Sequence, residues 1–334
     1  MSRVAVMGSG SWGTAFSQVL TDAGNEVVVW GKDPDVAESI NTRHENPTYH
    51  PGISLPESIR ATLDVDEALG QAEIVVLALP AQVVRENLAE WRHRLTWDCL
   101  LVSLAKGIEL GSKLRMSEVV AQTAGVPAER VAVVSGPNLA REIAERQPAA
   151  TVAACLSETN ARRLQQACAT SYFRPYTNTD VIGVEIGGAV KNVIALANGM
   201  ASGMGFGENA QASLMTRGLA EMTRLGVALG ANPMTFLGLA GVGDLIATCQ
   251  SPLSRNRTFG EHLGRGLSVE ETIAVSKQTC EAVKSCRPIL ELAQGASVDM
   301  PIGEQVVEVV WNGAATSTIV ERLMSRVPRP EIRT

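Results

Sequence analysis

The chain has 334 residues, of which 45% are hydrophobic and 19% are charged, and its formal net charge is -6. This length suggests about two domains, and the apolar content is sufficient to build a core for each of them. The charged fraction is below that of a disordered chain. The acidic balance argues against nucleic-acid binding, so a site for an anionic ligand has to be built locally from a few basic side chains.

The cysteines, the histidines and the N-terminal sequence further narrow the class of protein and the kinds of site that are expected. The six cysteines lack paired spacing and are typical of reduced, mostly buried thiols in a cytoplasmic protein. The four histidines are scattered without ligand spacing, so no metal site is predicted. The start, MSRVAVMGSG, has no long apolar segment, and charged or amide side chains interrupt the apolar runs. We therefore expect neither a signal peptide nor membrane insertion.

The chain opens on a strand–turn–helix–strand pattern. Arg3–Met7 is a short apolar run that predicts a strand, and Gly8, Gly10 and Gly13 follow it in the spacing G-x-G-x-x-G. A helical pattern and a second strand, Glu26–Trp30, come next. In such a unit the first glycine allows a tight turn, the second lets a pyrophosphate approach the backbone, and the third lets the helix pack closely. The motif therefore predicts a dinucleotide site.

The end of the second strand indicates which dinucleotide is bound, because an acidic residue there would bind the ribose 2′-hydroxyl of NADH. This chain has Gly31 and Lys32 at that point, followed by Asp33. A lysine beside a glycine favours the 2′-phosphate of NADPH, while Asp33 keeps NADH possible. The alternative is that Lys32 is only a solvated surface lysine.

Strand and helix patterns then alternate to about residue 169. The further predicted strands are Ile59–Leu63, Glu73–Leu79, Cys99–Leu104, Val131–Val134 and Ala150–Cys155. The further predicted helices are Pro34–Arg43, Asp64–Gly70, Gln82–Leu95, Leu139–Arg146 and Glu158–Ala169. The loop His44–Pro56 is either a flap near the cofactor or a plain connection. The alternation predicts an α/β, Rossmann-type doubly wound parallel sheet.

Ligands of such sheets gather at the carboxyl ends of the strands. Lys106 follows one predicted strand, and Gly136 and Asn138 follow another, so we expect these residues to lie near the dinucleotide. From about residue 180 the pattern changes to helix after helix. We therefore predict a dinucleotide-binding domain over residues 1–180 and an all-α substrate-binding and catalytic domain over residues 181–330.

The helical part begins with the apolar run 181–200, which carries one lysine, Lys191. Its neighbours one turn away, Gly187 and Gly188, are small, which suggests an empty space in front of the ammonium. A buried ammonium has a lowered pKa and is a candidate proton donor and acceptor. The alternative is a structural lysine paired with Glu185 or Asp244. On the next helical pattern, Arg217 and Glu221 stand one turn apart and are expected to pair.

A second polar run follows. Asp244 comes after two glycines, and Ser254, Arg255 and Asn256 open another helical pattern. A hydroxyl, a guanidinium and an amide at a helix N-terminus are well suited to hold a phosphate. The alternative is that Ser254 only caps the helix and that the arginines here, Arg255 and Arg257, lie on the surface.

Eight ordered segments, between residues 4 and 285, resemble the bacterial NAD(P)-dependent glycerol-3-phosphate dehydrogenases. They are VAVMGSGSWGTA, NPTYHPGISLP, SLAKGIE, SGPNLAREIA, GVEIGGAVKNVIALANGM, GENAQASLMTRGLAEM, AGVGDLIATC and SRNRTFG. The resemblance implies reversible reduction of dihydroxyacetone phosphate to sn-glycerol 3-phosphate with NADPH or NADH, of which NADPH is favoured. It also implies a cytoplasmic homodimer that feeds phospholipid synthesis.

The resemblance also implies residue roles. It makes Lys191 the proton-transfer residue, and we expect Lys106 to polarise the carbonyl and Asp244 to orient the lysine or the substrate. Positions matching substrate contacts are Lys106, Gly136, Asn138, Lys191, Asp244, Ser254, Arg255 and Asn256. Positions matching cofactor contacts, besides the three glycines, are Ser11, Trp12, Lys32, Tyr49, Lys106, Ala140, Arg255, Thr279 and Glu281. The chain departs from the family pattern at Thr279 and Ala282.

Two other functions are compatible with this layout. One is a different dehydrogenase of the β-hydroxyacid or 6-phosphogluconate type, which would need a carboxylate site in place of the Ser254–Arg257 segment. The other is a non-enzymatic NAD(P)H sensor, which would bind cofactor without turnover and would not need Lys191.

The residues after the second strand give a first prediction. Lys32→Ala should lower kcat/KM with NADPH relative to NADH by roughly two- to fivefold, the scale of one exposed ion pair. We expect this because Lys32 would contact the 2′-phosphate, which NADPH carries and NADH lacks. Steady-state kinetics with each cofactor measure this ratio, and an unchanged ratio would show that Lys32 is merely solvated.

Overall fold

The computed structural model describes residues 1–276 and 280–325. Within these ranges, eight strands form one sheet in the order β3-β2-β1-β4-β5-β6-β7-β8. The strands are β1 (Arg3–Met7), β2 (Glu26–Trp30), β3 (Arg60–Thr62), β4 (Ile74–Leu77), β5 (Leu100–Ser103), β6 (Val131–Ser135), β7 (Ala149–Cys155) and β8 (Phe173–Asn178). Strands β4, β5 and β6 are buried along their whole length, as is typical of a sheet covered on both faces.

Helices connect the strands and cover the sheet. They are α1 (Ser11–Asp22), α2 (Pro34–Arg43), α3 (Val65–Leu69), α4 (Val84–Trp91), α5 (Met116–Ala124), α6 (Ala140–Ala144) and α7 (Glu158–Cys168). Short 3-10 turns lie at Ala81–Val83, Arg92–Arg94 and Ala128–Arg130. The predicted α/β architecture is confirmed, but α5 and β8 were not predicted from the sequence.

The direction of the last two strands differs from the prediction. Strands β1 to β6 pair in parallel, whereas β7 runs antiparallel to β6, and β8 is parallel to β7. Only the five-residue helix α6 lies between β6 and β7. A helix of that length rises about 7 Å, which is too short to return the chain along a five-residue strand of about 17 Å. The chain therefore turns back and pairs antiparallel at this side of the sheet.

The second half is helical, as predicted. Its helices are α8 (Val181–Gly203), α9 (Glu208–Ala228), α10 (Asp244–Gln250), α11 (Arg255–Gly264), α12 (Val269–Ser276), α13 (Glu281–Gly295), α14 (Pro301–Asn312) and α15 (Ser317–Met324). A 3-10 turn at Pro233–Leu237 and a wide turn at Leu239–Gly243 precede α10. By length and composition α8 could cross a membrane, but 94% of its most apolar window is buried inside the protein. It is the central core helix of this half.

Backbone contact fixes α8 against α11. A Cβ atom on Gly199 would lie 2.0 Å from the carbonyl oxygen of Arg257, and one on Gly260 would lie 2.1 Å from that of Leu196. Only glycine fits at these two positions, so the two helices pack with no side chains between their backbones. This crossing sets the distance from the middle of α8 to the first turn of α11.

A buried ion pair fixes the start of α8 to the sheet half. Glu185 is 6% exposed, and its Oε2 accepts hydrogen bonds from Arg115 (2.7 Å) and from the Ser117 hydroxyl (2.6 Å). Its Oε1 accepts one from the Ser117 backbone N–H. Glu185 is therefore fully engaged with the N-terminus of α5 and is not the partner of Lys191.

The prediction that the side chains of Arg217 and Glu221 pair along α9 is wrong. Glu221 is only 2% exposed, and its carboxylate accepts hydrogen bonds from the backbone N–H groups of Ile302 (2.8 Å) and Gly303 (3.3 Å) at the start of α14. Burial raises its pKa from 4.5 to about 7, although these hydrogen bonds act to lower it.

This buried carboxyl predicts a pH-dependent stability. Because its pKa is raised on folding, the unfolded chain loses the proton first, so the free energy of unfolding falls between about pH 4.5 and about pH 7. The contribution is about 3 kcal/mol. The free energy of unfolding can be measured by urea unfolding at several pH values. Glu221→Gln should remove its fall between about pH 4.5 and about pH 7. Glu208→Gln, a change of an exposed residue on the same helix, should keep it. Equal slopes in both variants would contradict the assignment.

Candidate active site

The glycine-rich turn has the shape that a pyrophosphate requires. Gly8 has a φ of +134°, and a Cβ there would lie 2.4 Å from the carbonyl oxygen of Ala78. A Cβ on Gly13 would lie 2.0 Å from the carbonyl oxygen of Gly8, so α1 packs directly on the turn. In front of Gly10 there is nothing within 4 Å. The turn is thus tight at its ends and open in its middle, which fits a dinucleotide at the N-terminus of α1.

At the end of β2, the acidic and basic residues have different surroundings. The Asp33 carboxylate caps α2, accepting hydrogen bonds from the backbone N–H groups of Asp35 and Val36. Lys32 is exposed, and its ammonium lies 5.9 Å from the centroid of the Trp30 ring. Lys32 makes no ion pair among the described residues. The charge available to a ribose substituent at this point is therefore positive.

The loop after α2 is docked onto the glycine-rich turn. Asn46 donates hydrogen bonds to the Ser9 carbonyl (3.0 Å) and the Thr14 hydroxyl (2.9 Å). The His50 Nε2 lies 2.7 Å from the Ser11 carbonyl oxygen, and both Asn46 and His50 are fully buried. Tyr49, between these two anchors, is 41% exposed. The loop thus carries Tyr49 beside the predicted pyrophosphate position.

Three more of the predicted cofactor residues, Trp12, Ala140 and Glu281, belong to described helices. Trp12 packs against Phe16 and Phe173, and its indole N–H is buried without a hydrogen-bond partner in the described structure. Ala140 is the first residue of α6 and Glu281 the first residue of α13. Thr279 lies outside the described residues.

Two lysines share one buried carboxylate. Lys191 on α8 donates a hydrogen bond to Asp244 Oδ1 at 2.7 Å, and Lys106, after β5, donates one to Asp244 Oδ2 at 2.7 Å. Lys191 also bonds the Thr248 hydroxyl (2.6 Å), and Lys106 the Gly136 carbonyl (3.0 Å). An ammonium has three N–H groups, so each lysine has one left after its partners in the described structure.

Burial and charge set the pKa values of this cluster. Desolvation lowers the pKa of Lys191 from 10.5 to about 8, with Asp244 opposing the shift and Lys106 adding to it. Burial acts to raise the pKa of Asp244, but the two ammonium groups outweigh it, and this pKa lies below its usual value. With all three groups charged, the cluster carries a net charge of about +1, which attracts an anion.

The expected open space in front of Lys191 is not formed by its glycine neighbours. A Cβ on Gly187 would meet the Ala240 carbonyl oxygen at 2.3 Å, and one on Gly188 would meet the Ser135 hydroxyl at 2.7 Å. Instead, Gly187 lets the turn before α10 pack directly against α8, and Gly188 does the same for the end of β6. The alternative pairing with Asp244 is present, and it leaves one N–H of Lys191 for a ligand.

The predicted phosphate site is partly used by the protein itself. The Ser254 hydroxyl accepts the backbone N–H of Arg257 (3.3 Å), so it caps α11 as the alternative held. Asn256 is 8% exposed and donates to Asn192 Oδ1 at 2.9 Å. Arg255 is exposed and makes no ion pair within the part of the chain that is described. The Arg255 guanidinium is therefore held by no direct ion pair there, although its charge opposes the rise that burial causes in the pKa of Glu281.

Asn138 follows β6 and lies against β7. Its amide donates to the Thr151 hydroxyl at 2.9 Å, and its oxygen is buried without a partner in the described structure. Gly136 has a φ of +146°, and a Cβ there would lie 3.1 Å from Thr151. Both residues therefore line the end of β6, next to Lys106.

The chain matches known proteins over most of its length. Residues 3–161 match the model of the NAD-dependent glycerol-3-phosphate dehydrogenase N-terminus, and residues 180–321 match that of its C-terminus. The chain belongs to the NAD-dependent glycerol-3-phosphate dehydrogenase family. A glycerol-3-phosphate dehydrogenase [NAD(P)+] of Streptomyces griseus is 62% identical over 331 residues, 99% of this chain and 98% of that protein. The corresponding protein of Streptomyces coelicolor is 60% identical over the same shares.

A solved structure of a glycerol-3-phosphate dehydrogenase from Coxiella burnetii superposes with a TM-score of 0.92. It is 34% identical in sequence, and the match covers 97% of this chain and 99% of that one. The resemblance read from the eight segments is confirmed. Membership of this family decides against both the β-hydroxyacid dehydrogenase and the sensor alternatives.

Sequence reasoning missed two residues that complete this dehydrogenase's polar cluster. Thr248 bonds Lys191 and lies four residues after Asp244, on the same face of α10, so helical spacing from Asp244 was the available signal. Asn192 bonds both the Lys106 carbonyl and Asn256. Its only signal was a buried amide next to Lys191.

Proposed function

We propose that this chain catalyses the reversible reduction of dihydroxyacetone phosphate to sn-glycerol 3-phosphate with NADPH or NADH. The observation that carries the proposal is the buried Lys106–Asp244–Lys191 bridge, which lies where the sheet edge meets α8. The bridge holds two cations, one of which is the proposed proton donor, at the ends of β5 and β6, the edge at which a dinucleotide would bind. The family membership supplies the reaction, and the bridge supplies the groups that perform it.

The nicotinamide, when bound, supplies a hydride to the substrate's carbonyl carbon. Lys191 donates its proton to the carbonyl oxygen as negative charge develops there, and takes a proton back in the oxidative direction. A pKa of about 8 suits both tasks, because the lysine is protonated near neutral pH yet releases its proton readily.

Lys106 and Asp244 prepare that proton transfer. Lys106 places its remaining N–H toward the carbonyl oxygen and stabilises the developing alkoxide. Asp244 holds both ammonium groups at 2.7 Å and thereby fixes their separation. Without this carboxylate the two cations would repel each other in a buried site.

The substrate phosphate is held at the start of α11. Arg255 supplies an exposed guanidinium, Asn256 an amide N–H, and the helix N-terminus a partial positive charge. Ser254 contributes as the cap that orders this first turn. Gly136 and Asn138, which follow β6, line the side of the site that faces the carbon chain of the substrate.

The cofactor contacts are assigned in the same way. We infer that the backbone of Gly8–Gly13, with Ser11 and Trp12, binds the pyrophosphate. Lys32 binds the 2′-phosphate, so NADPH is favoured, and Tyr49, Ala140 and Glu281 line the adjacent walls. We assign a further cofactor contact to Thr279.

We also propose a domain division, an oligomeric state and a cellular role. The division at residues 180 and 181 separates a dinucleotide-binding half from a catalytic half. The enzyme works as a cytoplasmic homodimer and feeds glycerophospholipid synthesis, as the family resemblance implies.

The decisive assay follows cofactor oxidation with dihydroxyacetone phosphate, using NADPH and NADH separately, with 6-phosphogluconate and a β-hydroxyacid as matched substrates in the oxidative direction. Lys191→Met should keep NADPH affinity and lose about 10²–10⁴-fold in turnover, the usual contribution of a positioned acid. In the unchanged protein, reductive kcat/KM should fall as pH rises through about 8, because the lysine loses its proton.

Lys113→Met, a change of a surface lysine paired with Glu291, is the control and should leave turnover unchanged. Turnover of Lys191→Met within a few-fold of the unchanged enzyme would refute the role of Lys191. Activity with 6-phosphogluconate but not with dihydroxyacetone phosphate would refute the proposed reaction itself.

The phosphate site gives a separate prediction. Arg255→Ala should raise the KM for dihydroxyacetone phosphate on the order of tenfold, because a hydrogen bond to a charged group is lost. NADPH affinity should change less. Arg265→Ala, at the other end of α11, removes an arginine paired with Glu261 and should leave KM unchanged. An unchanged KM in Arg255→Ala would place the phosphate elsewhere.

A further inference from the structure

A chain of hydrogen bonds joins the start of α13 to the loop after β5. The Cys280 thiol and the Ala282 backbone N–H both donate to Asn256 Oδ1, at 3.0 and 3.1 Å. The Asn256 amide donates to Asn192 Oδ1 at 2.9 Å, and the Asn192 amide donates to the Lys106 carbonyl at 3.3 Å. Three helices and the sheet edge are thus connected through two amides and one thiol.

These contacts leave only one orientation for the Asn256 amide. Two donors point at its oxygen, and an acceptor oxygen of Asn192 faces its nitrogen. A flipped amide would set its N–H against the Ala282 N–H and its oxygen against the Asn192 oxygen, and the Cys280 sulfur could then serve only as a weak acceptor. With the oxygen occupied twice and one N–H used, a single N–H of Asn256 is left for a ligand. A phosphate oxygen, which can only accept, suits that group.

The thiol is a donor under ordinary conditions. Cys280 is 7% exposed, and burial raises its pKa to about 12, so it keeps its proton near neutral pH. A thiolate at the same place would repel the Asn256 oxygen instead of bonding it.

We propose that Cys280 is a positioning residue for substrate binding, whose thiol holds the Asn256 amide with its free N–H toward the substrate phosphate. This inference rests on the proposed function, because it takes Asn256 as a phosphate ligand. Cys280 itself touches no substrate. It acts through Asn256, and it lies directly before Glu281 at the wall of the cofactor site.

The same helix offers a matched comparison. Cys286, six residues later and within α13, is also buried, at 1% exposure, and its thiol donates to the Val283 carbonyl of that helix. Removing either sulfur leaves a similar small cavity, but only Cys280 bonds a residue of the proposed phosphate site.

The test compares Cys280→Ala, Cys280→Ser, Cys286→Ala and Asn256→Ala in the full-length enzyme. Cys280→Ala should raise the KM for dihydroxyacetone phosphate about three- to tenfold, the scale of one neutral hydrogen bond, with kcat and NADPH affinity unchanged. Cys280→Ser keeps a donor and should restore the KM. Cys286→Ala should behave as the unchanged enzyme. If Cys280→Ala does not fold, Cys280→Val, which fills the volume without a donor, takes its place.

Three results would overturn the proposal, and they are distinguishable. A raised KM in Asn256→Ala with an unchanged KM in Cys280→Ala would reject the positioning role and leave the phosphate site intact. An equal rise in Cys280→Ala and Cys280→Ser would show a packing effect. An unchanged KM in Asn256→Ala would remove Asn256 from the phosphate site, and the inference with it.

Discussion

The arrangement of the active site depends on one carboxylate between two ammonium groups. Asp244 is 1% exposed and belongs to the helical half, while its partners come from both halves, Lys191 from α8 and Lys106 from the loop after β5. A buried charge is costly unless it is paired and hydrogen-bonded, so neither lysine nor the aspartate is stable in this position alone. The bridge therefore joins the two halves at the point where the chemistry takes place.

Backbone contacts determine whether this bridge can form. Gly187 lets the turn before α10 approach α8, which brings Asp244 within reach of Lys191. Further along α8, Gly199 meets Gly260 of α11 in the same way, and this crossing holds the first turn of α11 and Arg255 at a fixed offset from the lysine. The proton donor and the proposed phosphate cation are thus related through one rigid helix. A substrate whose phosphorus lies three bonds from its carbonyl carbon needs a fixed separation of this kind.

The strands that are buried on both faces were predicted well from the sequence, whereas the direction of β7 and the presence of β8, at one side of the sheet, were not, and both outcomes have physical reasons. Strands buried on both faces are continuous apolar runs, so β1 and β2 were placed to the residue. Strand β8 alternates buried and exposed residues and contains Pro175, so its composition does not indicate a strand. Hydrophobic pattern also carries no information on direction, which is why the reversal of β7 was not foreseen. Lys191 was found because a charge interrupts an apolar helix, but glycine spacing could not show whether protein or ligand fills the gap.

Local charge, rather than overall charge, explains how an acidic protein receives an anionic substrate. The chain has a net charge of -6, yet the bridge leaves about one positive charge in a region of low dielectric, where it acts more strongly than the same charge in water. Burial lowers the pKa of Lys191, Asp244 opposes that shift, and the charge of Lys106 adds to it. If both lysines had their own carboxylates, the site would be neutral and Lys191 would hold its proton more tightly. Sharing one aspartate therefore provides attraction for the phosphate and a transferable proton at the same time.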